Sequence, residues 1–398
     1  MPDESRTPGA DPAAEAATAV VLSGGGARGA YQVGVLRWIS QEYPELRLPI
    51  LTGVSAGAIN AAFLAGRPEP LPEAMDLLAD VWGDLSTDQI LRADAFSLLG
   101  NALKVVMNLG SGGARLAPQV RGLVDTTPLE QTLQRALNPE GIADNISRGR
   151  LTAVAVSATS YGTGRTVTFV QAASGIRMWE RTRRHSVSTH VGVDHVMASA
   201  AIPLFFPARS VEGEWFGDGS LRQGSPLAPA VYLGADRILV VSSRYHPGPR
   251  DIAGTDDDGY PPAAQILGLM LNSIFLDNLD ADAERLERIN EIVARVPNER
   301  QWLVSERPVS MLVLRPSSDL GRLAARYEDR LPRGLRYLIR GLGSRRVASP
   351  DLLSYLMFEA EYLQELIRLG ERDASRNWIR IRRFLKDGDA RDTPSGSG

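Results

Sequence analysis

The residues in this sequence best able to do chemistry sit on two glycine-rich turns. Gly53-Val54-Ser55-Ala56-Gly57 sets a serine between glycines, just after the apolar residues Leu48, Ile50 and Leu51. Such a G-x-S-x-G segment is a nucleophile elbow, in which a sharp strand-to-helix turn lifts the hydroxyl clear of the backbone. Ser23-Gly24-Gly25-Gly26-Ala27-Arg28-Gly29 ends an earlier apolar run, Ala19 to Leu22. Its backbone N–H groups open a helix, where negative charge is stabilised. One turn offers a nucleophile, and the other could hold the oxyanion created when that nucleophile attacks a carbonyl. The pairing suits acyl transfer. Gly24, Gly26 and Gly29 also fit a G-x-G-x-x-G dinucleotide turn, but the acid expected about 20 residues on would be Glu42 or Glu45, in a loop beside Pro44. A P-loop would need a G-K-[ST] ending that the first turn lacks.

Both turns read as a buried strand, a tight turn and a helix, which predicts an α/β fold with a mostly parallel sheet. Ala56 to Leu64 and Glu73 to Trp82 read as helices. Leu151 to Val156 and Arg165 to Val170 read as a strand pair. Arg237 to Ser242 is a continuous apolar run suited to a central parallel strand. Beyond it, Ile266 to Val296 predicts one long helix or a pair, Met311 to Leu314 an added strand, and Leu352 to Leu369 a single strong helix. The expected organisation is a disordered tail over 1–17, a catalytic domain over 18–246, a linker over 247–264, a mostly helical subdomain over 265–386 and a tail over 387–398. Two stretches could meet a membrane surface. Residues 95–110 are densely apolar beside glycines, and could form a flap or lid. Residues 332–343 place Leu335, Leu338, Ile339 and Leu342 on one helical face and Arg333, Arg336 and Arg340 on the other.

Composition narrows the classes. With 398 residues the chain can bury a large core, and its net charge of −3 gives no argument for nucleic-acid binding. The absence of cysteine removes disulfides, thiolate metal sites and a cysteine nucleophile. The N-terminus lacks the basic start and apolar core of a signal peptide, which predicts a cytoplasmic protein, peripheral at most to a membrane. His185, His190 and His195 recur every five residues and share no helical face, so no metal site is expected, and Asp256-Asp257-Asp258-Gly259 lacks the spacing of an EF-hand loop.

A serine nucleophile needs a base. His246 follows Asp218 in the Ser, Asp, His order of α/β-hydrolases, but it opens a proline-rich segment. Asp218, in a Gly-Asp-Gly turn after an apolar stretch, is better placed. In a dry pocket its pKa would rise toward that of a useful base. Both remain open on the residues alone, as does a catalytically silent binding or scaffolding protein.

Taken together, Gly24-Gly25-Gly26-Ala27-Arg28-Gly29, Gly53-Val54-Ser55-Ala56-Gly57, Ala198-Ser199-Ala200-Ala201-Ile202-Pro203 and Asp218-Gly219 resemble the patatin-like phospholipases, in family order and over roughly Val20 to Ser243. These lipid acyl hydrolases share a G-G-G-x-[KR]-G loop, a G-x-S-x-G serine and a D-G-[GA] aspartate. The resemblance implies a three-layer α/β/α fold and a Ser55–Asp218 dyad without histidine, metal or cofactor. It implies an oxyanion hole from Gly24, Gly25, Gly26, Ala27 and Ala56, and a phospholipid or related lipid ester as substrate. Gly29, Gly53, Gly57 and Gly219 would support the turns, and Arg28 would position its loop or meet a lipid phosphate. Ser220 departs from the family's glycine or alanine.

Overall fold

The computed structural model describes residues 16–92, 122–203, 205–246, 261–275, 277–297, 307–341, 343 and 351–387. Of the segments expected as a lid or membrane contact (95–110), as tails (1–17 and 387–398) and as a linker (247–264), residues 95–110, 1–15, 388–398 and 247–260 lie outside these residues. In chain order the strands are β1 (Thr18–Leu22), β2 (Ile50–Val54), β3 (Ala153–Ser160), β4 (Thr166–Ala172), β5 (Glu180–Arg181), β6 (Arg184–Ser188), β7 (Arg209–Val211), β8 (Glu214–Asp218), β9 (Arg237–Val241) and β10 (Ser310–Leu314). The helices are α1 (Gly29–Glu42), α2 (Ala56–Ala65), α3 (Leu71–Gly83), α4 (Thr127–Ala136), α5 (Pro139–Ser147), α6 (Val193–Ser199), α7 (Ala228–Tyr232), α8 (Ala263–Phe275), α9 (Asp277–Ala294), α10 (Leu320–Ala325), α11 (Arg333–Gly341), α12 (Asp351–Leu356), α13 (Ala360–Arg376) and α14 (Trp378–Asp387).

One sheet runs β10-β9-β1-β2-β3-β4-β6-β5, and its half from β10 to β3 is parallel throughout. β1 and β2 are buried along their whole length, as apolar strands covered on both faces must be. Alternation along each strand divides the core. Val20, Leu22, Val154 and Val156 face one side with α1, α2 and α3, while Ala19, Val21, Ala153 and Ala155 face the other with α7 and α9. These are the three layers anticipated from the sequence.

The chain beyond residue 265 is tied into this frame. β10 extends the same sheet beside β9, and α13 packs along α1 so closely that a Cβ on Gly34 would stand 1.9 Å from the Ile367 carbonyl oxygen. The stretch from Leu352 to Leu369 is not one helix. Residues 357–359 leave the helical path between α12 and α13, because Glu359 bridges to the backbone of Ser86 and the Thr87 hydroxyl donates to the Glu359 carboxylate at 2.6 Å. α11 forms where the amphipathic pattern places it. However, its apolar side (Leu335, Ile339) is buried in the core and its Arg336 and Arg340 pair with Asp329 and Glu328. Leu335 and Ile339, two residues of the face that could have met a membrane, are therefore covered by protein. No helix among the described residues is long and apolar enough to cross a membrane.

Candidate active site

β3 acts as the ruler that brings the two turns together. One edge is occupied by β4 from Ala153 to Thr159. Along the other edge β2 runs parallel until Val54 pairs with Ser157, and from Ala158 onward antiparallel β8 takes over, with Asp218 opposite Ala158. The C-terminal ends of β2 and β8 thus meet head to head, and the next residue of the first is Ser55. Gly219 is required at this junction, since a Cβ there would lie 2.1 Å from the Ser157 carbonyl oxygen. The Thr159 hydroxyl donates to the Asp218 carbonyl at 2.9 Å and fixes the second turn to the same strand.

Ser55 has φ 55° and ψ −126°, a conformation disfavoured for a residue with a side chain and of the kind that costs on the order of 1–3 kcal/mol. Its N–H donates to Ser199 Oγ at 2.9 Å, and Ser199 Oγ donates to the Ser157 carbonyl at 2.6 Å. One buried hydroxyl on α6 therefore clamps the elbow to β3. The sequence flagged Ser199 only as part of an Ala-Ser-Ala-Ala run; the clamp depends on which strands become neighbours.

Asp218 is fully buried. Burial pushes its carboxyl up from 3.8 to about 7, against the opposing influence of hydrogen bonding by Ser55 and Ser220. Oδ1 accepts the Ser220 N–H at 2.9 Å, while Oδ2 has no hydrogen bond of normal geometry. The Ser55 hydroxyl is thus near enough to act on the acidity of the carboxyl without being clasped by it. Long contacts of this kind between nucleophile and base often tighten only when substrate is bound. His246 lies elsewhere, half-exposed, with Nε2 3.0 Å from Asp280 on α9. His195 packs edge-on against Phe169.

The first turn runs through Gly25 (φ 151°) and Gly26 (φ 56°), both in the left-handed half of conformational space. The N–H groups of Gly25 and Gly26 donate to no other described residue. Gly24 is held from behind, its carbonyl accepting Ser243 Oγ at 2.7 Å, and Ala27 is buried in the core. Arg28 is buried and points away from the cavity. Its Nε donates to Ser354 Oγ at 2.8 Å, it pairs with Asp351 at 2.6 Å, and it lies 4.3 Å from the Tyr355 ring centroid. These contacts tie the loop to α12. Gly29 lies against Ala56 and Trp82, and Gly53 against the Gly57 backbone.

Gly26, Ser55 and Ala56 line one cavity of about 640 Å³, counting the space open to solvent. Its walls come from Ile59 and Phe63 on α2, Leu78, Val81 and Trp82 on α3, Leu129 and Leu133 on α4, and Ile202, Phe206 and Phe358. Among the described residues, apart from Ser55 and Thr132 no lining side chain carries a polar atom besides the Trp82 indole N–H, which is already donated to Asn60 at 2.7 Å. The arrangement can hold a hydrocarbon chain with its functional carbon at the serine.

The chain superposes on human GIVD cytosolic phospholipase A2 with a TM-score of 0.44 and 11% identity, covering 94% of this chain and 60% of that one. VipD from Legionella pneumophila gives 0.31 and 14%, covering 95% and 78%. ExoU from Pseudomonas aeruginosa, solved in complex with SpcU, gives 0.28 and 14%, covering 93% and 78%. Likenesses at these scores carry no argument about substrate, and the chain spans only about 60% of the human protein's length. No curated protein matches it. The patatin-like phospholipase profile matches residues 20–231, more than half of the 398 residues, and the chain belongs to the patatin-like phospholipase family.

Proposed function

We propose that the protein is a serine lipid acyl hydrolase that cleaves fatty-acyl esters of phospholipids or related lipids. The observation that carries this reading is a strained, buried serine at the mouth of an apolar cavity, next to a carboxyl whose pKa is about 7. A base titrating near the working pH is both ionised often enough and basic enough to take a serine proton. Family membership supports lipid hydrolysis at the coarse level.

In this mechanism the ester's acyl chain fills the cavity. Asp218 takes the Ser55 proton as Oγ bonds to the carbonyl carbon, and the carbonyl π electrons move onto oxygen. The N–H groups of Gly25 and Gly26, flanked by those of Gly24, Ala27 and Ala56, bind that oxyanion. Losing one such donor typically costs about 100- to 1,000-fold in kcat. Collapse of the intermediate expels the alcohol, which leaves with the proton from Asp218. Water, deprotonated by Asp218, then attacks the acyl-serine carbonyl, and collapse of that intermediate frees the fatty acid as Asp218 returns the proton to Ser55 Oγ. Contact with the lipid surface is assigned to α8, which exposes Ile266, Leu269 and Met270 and sends Asn272 to the Arg28–Asp351 pair behind the first turn.

The test is mass spectrometry of lipids released by wild type, Ser55→Ala and Asp218→Asn. Fatty-acid release should fall by about 10⁴-fold in either variant, and wild-type kcat/KM should rise with pH through about 7 as Asp218 ionises. Release undiminished in Ser55→Ala would refute the assignment.

A further inference from the structure

The opposite face of the sheet carries a second, polar cleft of about 950 Å³. Ser157 opens onto it, its hydroxyl 3.1 Å from that of Thr168. Four guanidinium groups, from Arg183, Arg184, Arg222 and Arg285, line its walls. Asp282 is the carboxylate near them. It pairs with Arg285 at 3.3 Å and acts on Arg184 through charge, while also accepting the Leu227 N–H at 2.9 Å. Arg183 and Arg222 have no carboxylate partner among the described residues. Arg222 uses its Nε on the Gly164 carbonyl at 3.0 Å, and Arg184, whose Nε is buried with no hydrogen-bond acceptor, hydrogen-bonds Tyr232 and lies 5.9 Å from its ring centroid.

Four cations around one carboxylate is a marked excess in a chain of net charge −3. Like charges gathered in a concave site repel one another unless an anion joins them, and low-dielectric walls strengthen the field on that anion. Guanidinium forks match phosphate oxygens bidentately, and the hydroxyl-bearing floor suits a hydrated polar group rather than an acyl chain. We propose that this cleft binds a phosphate-bearing anion. The wall from Leu221 to Ser225 begins three residues after Asp218, and the Ser157 carbonyl receives the Ser199 clamp. An occupant therefore lies beside Leu221, three residues beyond Asp218, and beside Ser157, which the Ser199 hydroxyl ties to Ser55. The phosphate could be the head group of a bound lipid or that of a free small molecule.

The test is calorimetric titration of the full chain with inorganic pyrophosphate, in wild type and in the double variant Arg183→Ala/Arg222→Ala. Both side chains are exposed, and an unchanged circular dichroism melt checks the variant's fold. Saturable binding to wild type, weakened about 10- to 100-fold in the variant, is expected from losing charge-assisted hydrogen bonds. Hydrolysis of a phosphatidylglycerol vesicle and of a neutral p-nitrophenyl ester then separates the sources. A KM raised by the variant for the phospholipid alone identifies the substrate head group. A pyrophosphate-dependent change in wild-type rate on both substrates identifies a free ligand. No saturable pyrophosphate binding by wild type, or equal binding by the variant, overturns the proposal. The titration does not depend on the hydrolase assignment; failure to cleave the neutral ester would count against that assignment and leave the binding result standing.

Discussion

Replacing Asp218 with asparagine should make the protein more stable at neutral and alkaline pH while abolishing its chemistry. The carboxyl is fully buried, and folding moves its pKa from an ordinary 3.8 to about 7. Below pH 3.8 it is protonated in both folded and unfolded chains, and the shift has no effect. Between 3.8 and about 7 the unfolded chain ionises it while the folded protein keeps the proton. The folded state then binds more protons, so stability falls as pH rises through this window. Each pKa unit is worth about 1.36 kcal/mol, so the whole shift amounts to about 4 kcal/mol, fully expressed above pH 7. The substituted side chain would carry no charge and escape this loss. Its amide would bring a donor that needs a partner, a constant offset of about 1–3 kcal/mol. The difference between the two proteins across pH removes that offset. Urea denaturation of wild type and Asp218→Asn at intervals from about pH 4 to 8 should show the variant gaining about 4 kcal/mol on wild type. A difference that stays flat over this range would mean a carboxylate of ordinary acidity, and the base role argued for Asp218 would fail with it.

The remaining predictions concern neighbouring residues. His246→Ala should leave kcat/KM for a p-nitrophenyl ester within about twofold of wild type, because the imidazole faces Asp280 at the surface; a loss comparable to that in Ser55→Ala would restore a histidine triad. Ser199→Ala removes both bonds of the elbow clamp and should cost about 1–3 kcal/mol of stability. Its kinetic signature should be a lower kcat with little change in KM, since the acyl cavity is untouched. Arg28→Ala leaves Asp351 with Asn272 as its donor and frees the first turn from α12, so denaturation should show a loss of about 3 kcal/mol, the lower end for a broken buried pair.

Much of the site was legible because glycine spacing is a local signal. Gly25 and Gly26 need positive φ, and Ser55 needs a sharp turn between small residues. These requirements leave a trace in a few consecutive letters. On the residues alone Asp218 was the better placed of two open partners for Ser55, and the resemblance favoured it, because what brings them near is the register of β2 and β8 along one edge of β3, which no short window of sequence contains. The Ser199 clamp was hidden for the same reason. Leu352 to Leu369 reads as one helix on propensity, but the bridge to Ser86 and the bond to Thr87, over 270 residues away, break it. The apolar face of α11 illustrates a different limit: periodicity reveals that a face is apolar, while packing decides whether protein or lipid covers it. The four arginines of the polar cleft come from three separate segments, so composition and local charge runs gave no hint of their convergence.

The account rests on Ser55 being a nucleophile activated by Asp218. Its most direct test is reaction of the full chain with a fluorophosphonate, followed by peptide mass spectrometry. One adduct on the peptide containing Ser55, forming far more slowly in Asp218→Asn, is the expected result. An unmodified Ser55 in wild type, or labelling that proceeds equally fast in Asp218→Asn, would contradict it.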